Sequence, residues 1–387
     1  MPLYLGLDAG AIGLTAVVID IHDERRDIVF NRTLAFDRDL PEYGIVTATP
    51  VMWADALDRL LGRLAAAAEI EVEDIRAIAG SFSSREHSPS AYLTPSASRA
   101  LAPSAALAGQ LTAAGSAIDS LGLYLETLLA DSNRRLAAYW QKRYALPAAA
   151  IVPWTGDRES RSIGIGLARD GVLGIAFGTN DVVSTRTETI AFRNGSLARD
   201  WARRAYGLEW DGIAAMLSRS PGNDGGILLP WLEPEDTPRV AHAGVRRFGF
   251  DRHDAARNIC GLIEGQMMAM ANHADAISGG TLERIVATGD AAEHHAILQV
   301  AANVFGADVY RLETDGSAAL GAALRAYHAD RLATGAPVSW TTVVRGFADP
   351  KPGHRVAPNP KHVAMYAELR RDYAILERLH RDRPPIC

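Results

Sequence analysis

Two short stretches combine residue types and spacing that could do chemistry. In Trp154-Thr-Gly-Asp-Arg158 an apolar run carrying Ile151 and Val152 stops at a Gly-Asp pair. A carboxylate at a strand end is placed to meet a ligand. In the second stretch, Gly178-Thr179 forms a turn whose backbone N–H groups and hydroxyl suit an anion. Between them, Gly164 and Gly166 mark a small-residue helix turn, and Arg169-Asp170-Gly171 between apolar runs signals a hairpin. The whole reads as a catalytic turn followed by a phosphate-holding hairpin. A structural reading stands beside it, in which Asp157 caps the next helix and Gly178 only turns the chain.

Several elements must position these residues. The chain opens as a three-stranded meander: Leu3 to Asp8, a turn at Ala9-Gly-Ala-Ile-Gly13, Leu14 to Asp20, then Asp27 to Phe30. Its first hairpin, turning at Gly10, resembles the later one turning at Gly178, which suggests a duplicated α/β core with a nucleotide between its halves. A helix from Val51, with Trp53, Leu57, Leu60, Leu61 and Leu64 on one face, leads to a strand over residues 75–79. Residues 81–104, containing Arg85-Glu-His87, read as a loop, and residues 107–131 as one or two helices with Asp119 at a break. An amphipathic helix over 136–144 then delivers the chain to the strand ending at Trp154.

Beyond Gly178, a helix follows Asn194-Gly-Ser196, and a long one runs from Asp254 to about Ile277. The strand 284–288 turns at Gly289-Asp290, and the strand 308–312 precedes a small-residue helix over 318–326. A glycine that ends a strand and opens a helix is a ready phosphate or adenine platform. A charged amphipathic helix spans 358–383.

The composition bounds the function. A chain of 387 residues, 48% hydrophobic and 22% charged, is large enough for two domains with full cores. Its net charge of −6 supplies no basic face for nucleic acid, so any nucleotide would be a small molecule in a local site. Two cysteines fit a reducing compartment, no basic leader opens the chain, and no apolar run approaches the roughly 20 residues of a membrane span. The expectation is a cytoplasmic protein with no membrane partner.

Taken in order, Trp154-Thr-Gly-Asp-Arg158, Gly178-Thr179, Phe192-Arg-Asn-Gly-Ser-Leu197, Ile263-Glu-Gly-Gln266, Ile285-Val-Ala-Thr-Gly289 and Ser317-Ala-Ala-Leu-Gly-Ala-Ala323 resemble the FGGY family of carbohydrate kinases, most of all its xylulokinase members. The resemblance covers residues 136–378 almost continuously and the front of the chain more loosely. It implies two RNase-H-like domains of the actin and hexokinase type flanking a cleft, the first abbreviated. The implied boundaries are 1–148 for a sugar-binding domain, 149–345 for a nucleotide-binding domain, and 346–387 for a helix and tail. It further implies ATP and Mg²⁺, a sugar or polyol substrate, and phosphoryl transfer. Asp157 would be the general base and touch the substrate, and Asp8 would hold hydrated Mg²⁺. Gly10, Gly178 and Thr179 would face phosphates, Gly289 would approach the adenosine, and His87 and Asp119 would hydrogen-bond the sugar.

Three departures bear on activity. The first hairpin reads Asp8-Ala-Gly-Ala11 and then Thr15, where the family has a hydroxyl and a basic residue. Losing one hydrogen bond to a charged group costs roughly 1.5–3 kcal/mol, which slows a kinase without abolishing it. Arg158 stands beside the expected base in place of a small amide and could restore the lost charge or lower the basicity of Asp157. Between about Ala130 and Arg134 the chain skips a long segment of the family's sugar domain. That abbreviation would uncover the apolar face of residues 121–129, which a homodimer would bury. The alternative to a working kinase is a catalytically impaired relative that binds nucleotide or sugar as a sensor or partner.

Overall fold

The computed structural model describes residues 1–10, 13–22, 25–43, 50–82, 121–312, 316–349 and 352–383. The chain forms two compact units, one of residues 1–168 and 314–349, the other of residues 169–313 and 350–387.

Unit 1 is built on five strands: β1 (Leu3–Gly10), β2 (Gly13–His22), β3 (Arg25–Ala35), β4 (Ile75–Phe82) and β5 (Ala150–Gly156). Their order is β3-β2-β1-β4-β5. The first three form an antiparallel meander, while β4 and β5 run parallel to β1. Because side chains alternate across a strand, Leu3, Leu5 and Leu7 face one way, onto α1 (Pro50–Ala65) and α2 (Leu121–Leu129). On α1, Trp53, Leu57, Leu60, Leu61 and Leu64 are all buried in that layer, as their helical spacing requires. Next come α3 (Ala138–Tyr144) and α4 (Asp157–Gly164).

The other sheet face carries Tyr4 and Gly6 and is covered by a helix from far down the chain, Ser317–Ala333. Its run of small residues is explained by contact distance. A Cβ on Gly6 would sit 1.9 Å from the Ala319 carbonyl oxygen, and one on Gly321 would sit 1.7 Å from that of Ser160 in α4. No larger side chain fits at either position.

Unit 2 repeats the plan. Strands β6 (Val172–Phe177), β7 (Asp181–Ser184) and β8 (Thr189–Phe192) form an antiparallel meander. A hairpin of β9 (Ile227–Leu229) and β10 (Arg246–Phe248) stands apart. Strands β11 (Arg284–Gly289) and β12 (Asp308–Arg311) extend the meander in parallel, and β13 (Arg355–Val356) closes the edge. The order β8-β7-β6-β11-β12 matches that of unit 1 strand for strand. The helix α5 (Ser196–Ala205) and the long, mostly buried α6 (Ala255–Ser278) pack in its core. Met267, Met268 and Met270 are core residues there.

Two sequence expectations are corrected. The compact units do not divide at 148 and 345, because β5 pairs with β4 and the helix Ser317–Ala333 packs on β1, so both belong to unit 1. Arg169-Asp170-Gly171 is no hairpin: it joins the end of α4 to β6, and Gly171 takes the positive φ of +72°. The small-residue helix packs closely on β1 and α4. Leu125, Leu128 and Leu129 of α2 are buried within unit 1. Among the described residues no helix is long and apolar enough to cross a membrane.

Candidate active site

In unit 1 the strand register sets Thr15, Asp8, Ser81 and Thr155 side by side across β2, β1, β4 and β5. Asp8 lies on the sheet face that carries Gly6. Its Oδ1 accepts a 2.6 Å hydrogen bond from the Ser81 hydroxyl. Ser81 is fully buried and belongs to β4, which runs on to Phe82 where the sequence suggested a loop. Burial pushes the Asp8 carboxyl above its ordinary range, and the charge of Asp157 pushes the same way, while the Ser81 hydroxyl and Arg161 oppose them.

Asp157 follows directly from β5. Gly156 is the N-cap of α4 and Asp157 its first helical residue, so the carboxylate does not cap the helix. It sits where the positive end of the helix dipole favours a negative charge. The cation paired with it is Arg161, one turn on, whose Nη2 donates at 3.3 Å. Arg158, the expected neighbour, is exposed. The strand ends below are braced by Arg325, which donates to the carbonyls of Gly80 at 3.2 Å and Pro153 at 2.7 Å. Trp154 lies against Gly80, where a Cβ would come within 2.0 Å of its ring.

No group of three or more His, Cys, Asp or Glu suited to a metal occurs among the described residues. The donor set does fit Mg²⁺, which keeps several waters and takes one or two carboxylates. Asp8 is a half-buried carboxylate, raised chiefly by burial and then by Asp157, and a bound cation would relieve both. Gly10 ends β1 beside Asp8, and a Cβ there would be 3.8 Å from Asp8 Oδ2.

In unit 2, Gly178, Thr179 and Gly289 come together at the carboxyl ends of β6 and β11. Gly289 pairs with Phe177 and has φ of +88°, and a Cβ on it would be 1.9 Å from the Phe177 carbonyl oxygen. Contrary to the sequence reading, the backbone of Gly178 is engaged internally. Its N–H donates to Asp181 Oδ1 at 3.3 Å, and its carbonyl accepts from the Ser196 N–H at 2.8 Å. Thr179 and Asn180, both exposed, form the presented tip of the turn.

His87 and Asp119 lie outside the described residues, as does Ala11. Residue-level reading missed Ser81, Arg161, Asp181 and Arg199. Two of these had a signal in the sequence: Arg161 stands four residues after Asp157, and Asp181 opens the strand after the glycine turn.

Two units whose sheets share one five-strand order, β3-β2-β1-β4-β5 in the first and β8-β7-β6-β11-β12 in the second with β13 added at its edge, define the actin- and hexokinase-like class of ATPase folds. Residues 230–329 match the model of the FGGY family of carbohydrate kinases, C-terminal domain. Xylulose kinase of Rattus norvegicus is 31% identical over 285 residues, 65% of this chain and 52% of that protein. Among solved structures, gluconate kinase from Lactobacillus acidophilus superposes with a TM-score of 0.65 at 16% identity, covering 98% of each chain. Plasmodium falciparum glycerol kinase with ADP gives 0.58 at 11% identity, covering 97% of this chain and 98% of that one. The chain is similar to the C-terminal domain of the FGGY carbohydrate kinases over residues 230–329 and to xylulose kinases over a longer stretch. It spans about half the length of the curated relatives it matches.

Proposed function

We propose that the protein is an ATP-dependent sugar kinase that transfers the γ-phosphate of ATP to a hydroxyl of a pentulose or a related sugar or polyol. The observation that carries this reading is the pair of strand-end carboxylates in unit 1. Asp8 is half-buried, with its carboxyl raised chiefly by burial, and Asp157 stands at a helix start with no capping duty. Kinship with xylulose kinases supports the choice of substrate class.

In this reading Asp157 takes the proton of the attacking hydroxyl, a role worth about 10²–10⁴-fold. Arg161 orients it from one turn below. Asp8, held in place by Ser81, would be the carboxylate nearest hydrated Mg²⁺, which when bound neutralises charge on the transferring phosphoryl group. Thr179 and Asn180 present their exposed tip to phosphate oxygens, and Gly289 leaves room for the nucleoside beside β11. Thr15 does not replace the basic residue of the family hairpin, since its hydroxyl is engaged with that of Thr33 at 2.9 Å. His87 and Asp119 remain the proposed sugar contacts, and the cytoplasm the proposed location.

The test is ADP release with Mg²⁺ across ketoses, aldoses and polyols, beside an Asp157→Ala variant and a control without sugar. Sugar-dependent release that falls by about 10²-fold or more in the variant is expected. Release that is indifferent to the substitution removes Asp157 as base. ATP binding without turnover on any sugar favours the non-catalytic reading, in which the protein senses nucleotide or sugar.

A further inference from the structure

Beneath the Gly178-Thr179 turn lies a buried ionic network that neither the fold nor the proposed base requires. Asp181 and Arg199 are 1% and 2% exposed and join in a two-pronged pair of 2.6 and 2.9 Å. The Arg199 guanidinium also lies over the Phe177 ring, 5.4 Å from its centroid, and donates to Gln266 Oε1 at 3.0 Å. Gln266 Nε2 in turn donates to the carbonyls of Asn194 and Gly195. Glu235 holds the same segment from the other side, accepting from the backbone N–H groups of Arg193 and Asn194 and from the Asn194 amide.

What the network grips is the turn itself. Asp181 Oδ1 accepts the Gly178 N–H, and Ser196 donates to the Gly178 carbonyl. Gly195 lies so close that a Cβ would come within 2.6–2.8 Å of the Gly178 oxygen, the Thr179 oxygen and the Asp181 nitrogen. The turn is therefore held from below through Asp181 and from the side through Gly195. Replacing a buried ion pair by apolar residues is often neutral or stabilising, so such a pair is poorly explained by stability alone.

We propose that Asp181, Arg199 and Gln266 are positioning residues that hold the tip Thr179-Asn180 in the shape that receives the nucleotide's phosphates. This rests on the kinase reading and adds to it the groups that preorganise its anion cradle. None of the three touches the nucleotide; each acts through the turn.

Two variants test it. Gln266→Met keeps the volume and the ion pair but removes the grip on Asn194 and Gly195. The double variant Asp181→Leu/Arg199→Met replaces the pair by an apolar one, avoiding a lone buried charge. Mg-ATP binding is measured by calorimetry, thermal unfolding checks integrity, and amide hydrogen exchange follows Ser196 and strands β1 to β5. We expect the Mg-ATP Kd to rise about tenfold or more, with faster exchange at Ser196 and unchanged protection in unit 1. A folded variant, Gln266→Met alone if the double variant does not fold, that binds Mg-ATP with the wild-type Kd overturns the proposal while leaving the kinase reading intact. Wild-type protein that binds no Mg-ATP overturns both.

Discussion

Asp8 illustrates how a single side chain can be read from its surroundings. Its carboxyl is raised, chiefly by burial and then by Asp157. For a carboxyl raised in the folded state, stability is full below the unfolded value of about 3.9 and is lost as pH climbs through the folded value. An Asp8→Asn variant should therefore melt a few degrees above wild type at pH 7.5 without metal, and the gap should close toward pH 4. Millimolar Mg²⁺ should raise the melting temperature of the wild type and not of the variant. An unchanged gap across that range would show that Asp8 carries no such penalty. At this scale the sequence placed a residue where a strand end or a glycine turn is recognisable: Asp8 near the end of β1, Asp157 after β5, Gly178 after β6 and Gly289 at the end of β11. It was not legible for partners brought in by register or by helix packing. Ser81 reaches Asp8 from 73 residues away, and Gln266 meets Asn194 across 72.

Among the elements, the helix Ser317–Ala333 is the most constrained. Its alanines and glycines are a close-packing surface, because the chain passes within backbone contact of β1 on one side and α4 on the other. Gly321→Ala should lower the stability of unit 1 by about 3 kcal/mol, since the added Cβ meets main chain rather than a movable side chain. A urea midpoint unchanged from wild type would contradict that contact. Most helices and strands could be drawn from periodicity, including α1 with its buried leucines and the long α6. The partners of the helix Ser317–Ala333 were not legible, because composition alone does not say which neighbour a glycine has to admit. The Arg169-Asp170-Gly171 signal failed for a related reason: a glycine at positive φ ends a helix connection as readily as it turns a hairpin.

For the whole molecule, the doubled strand order was foreshadowed by two similar hairpins, but the boundary between units was not, because sequence order hides which sheet a strand joins. Unit 1 is discontinuous, and its last portion, residues 314–349, is inserted between two portions of unit 2. Replacing residues 316–349 by a flexible linker should strip hydrogen-exchange protection from β1 and β4 while the strands of unit 2 keep theirs. Loss of protection in both units together would mean that they unfold as one.

That arrangement also sets a timetable for synthesis. The strand Leu3–Gly10 leaves the ribosome well before the helix that covers Tyr4 and Gly6, which is encoded more than 300 residues later. Through most of translation one side of the nascent sheet has no cover, and closing it requires contacts of very large sequence separation, the slow kind. The growing polypeptide is thus a candidate for chaperone capture until the helix Ser317–Ala333 is made, and a premature stop before Ser317 would release a chain whose first sheet is still open on that side.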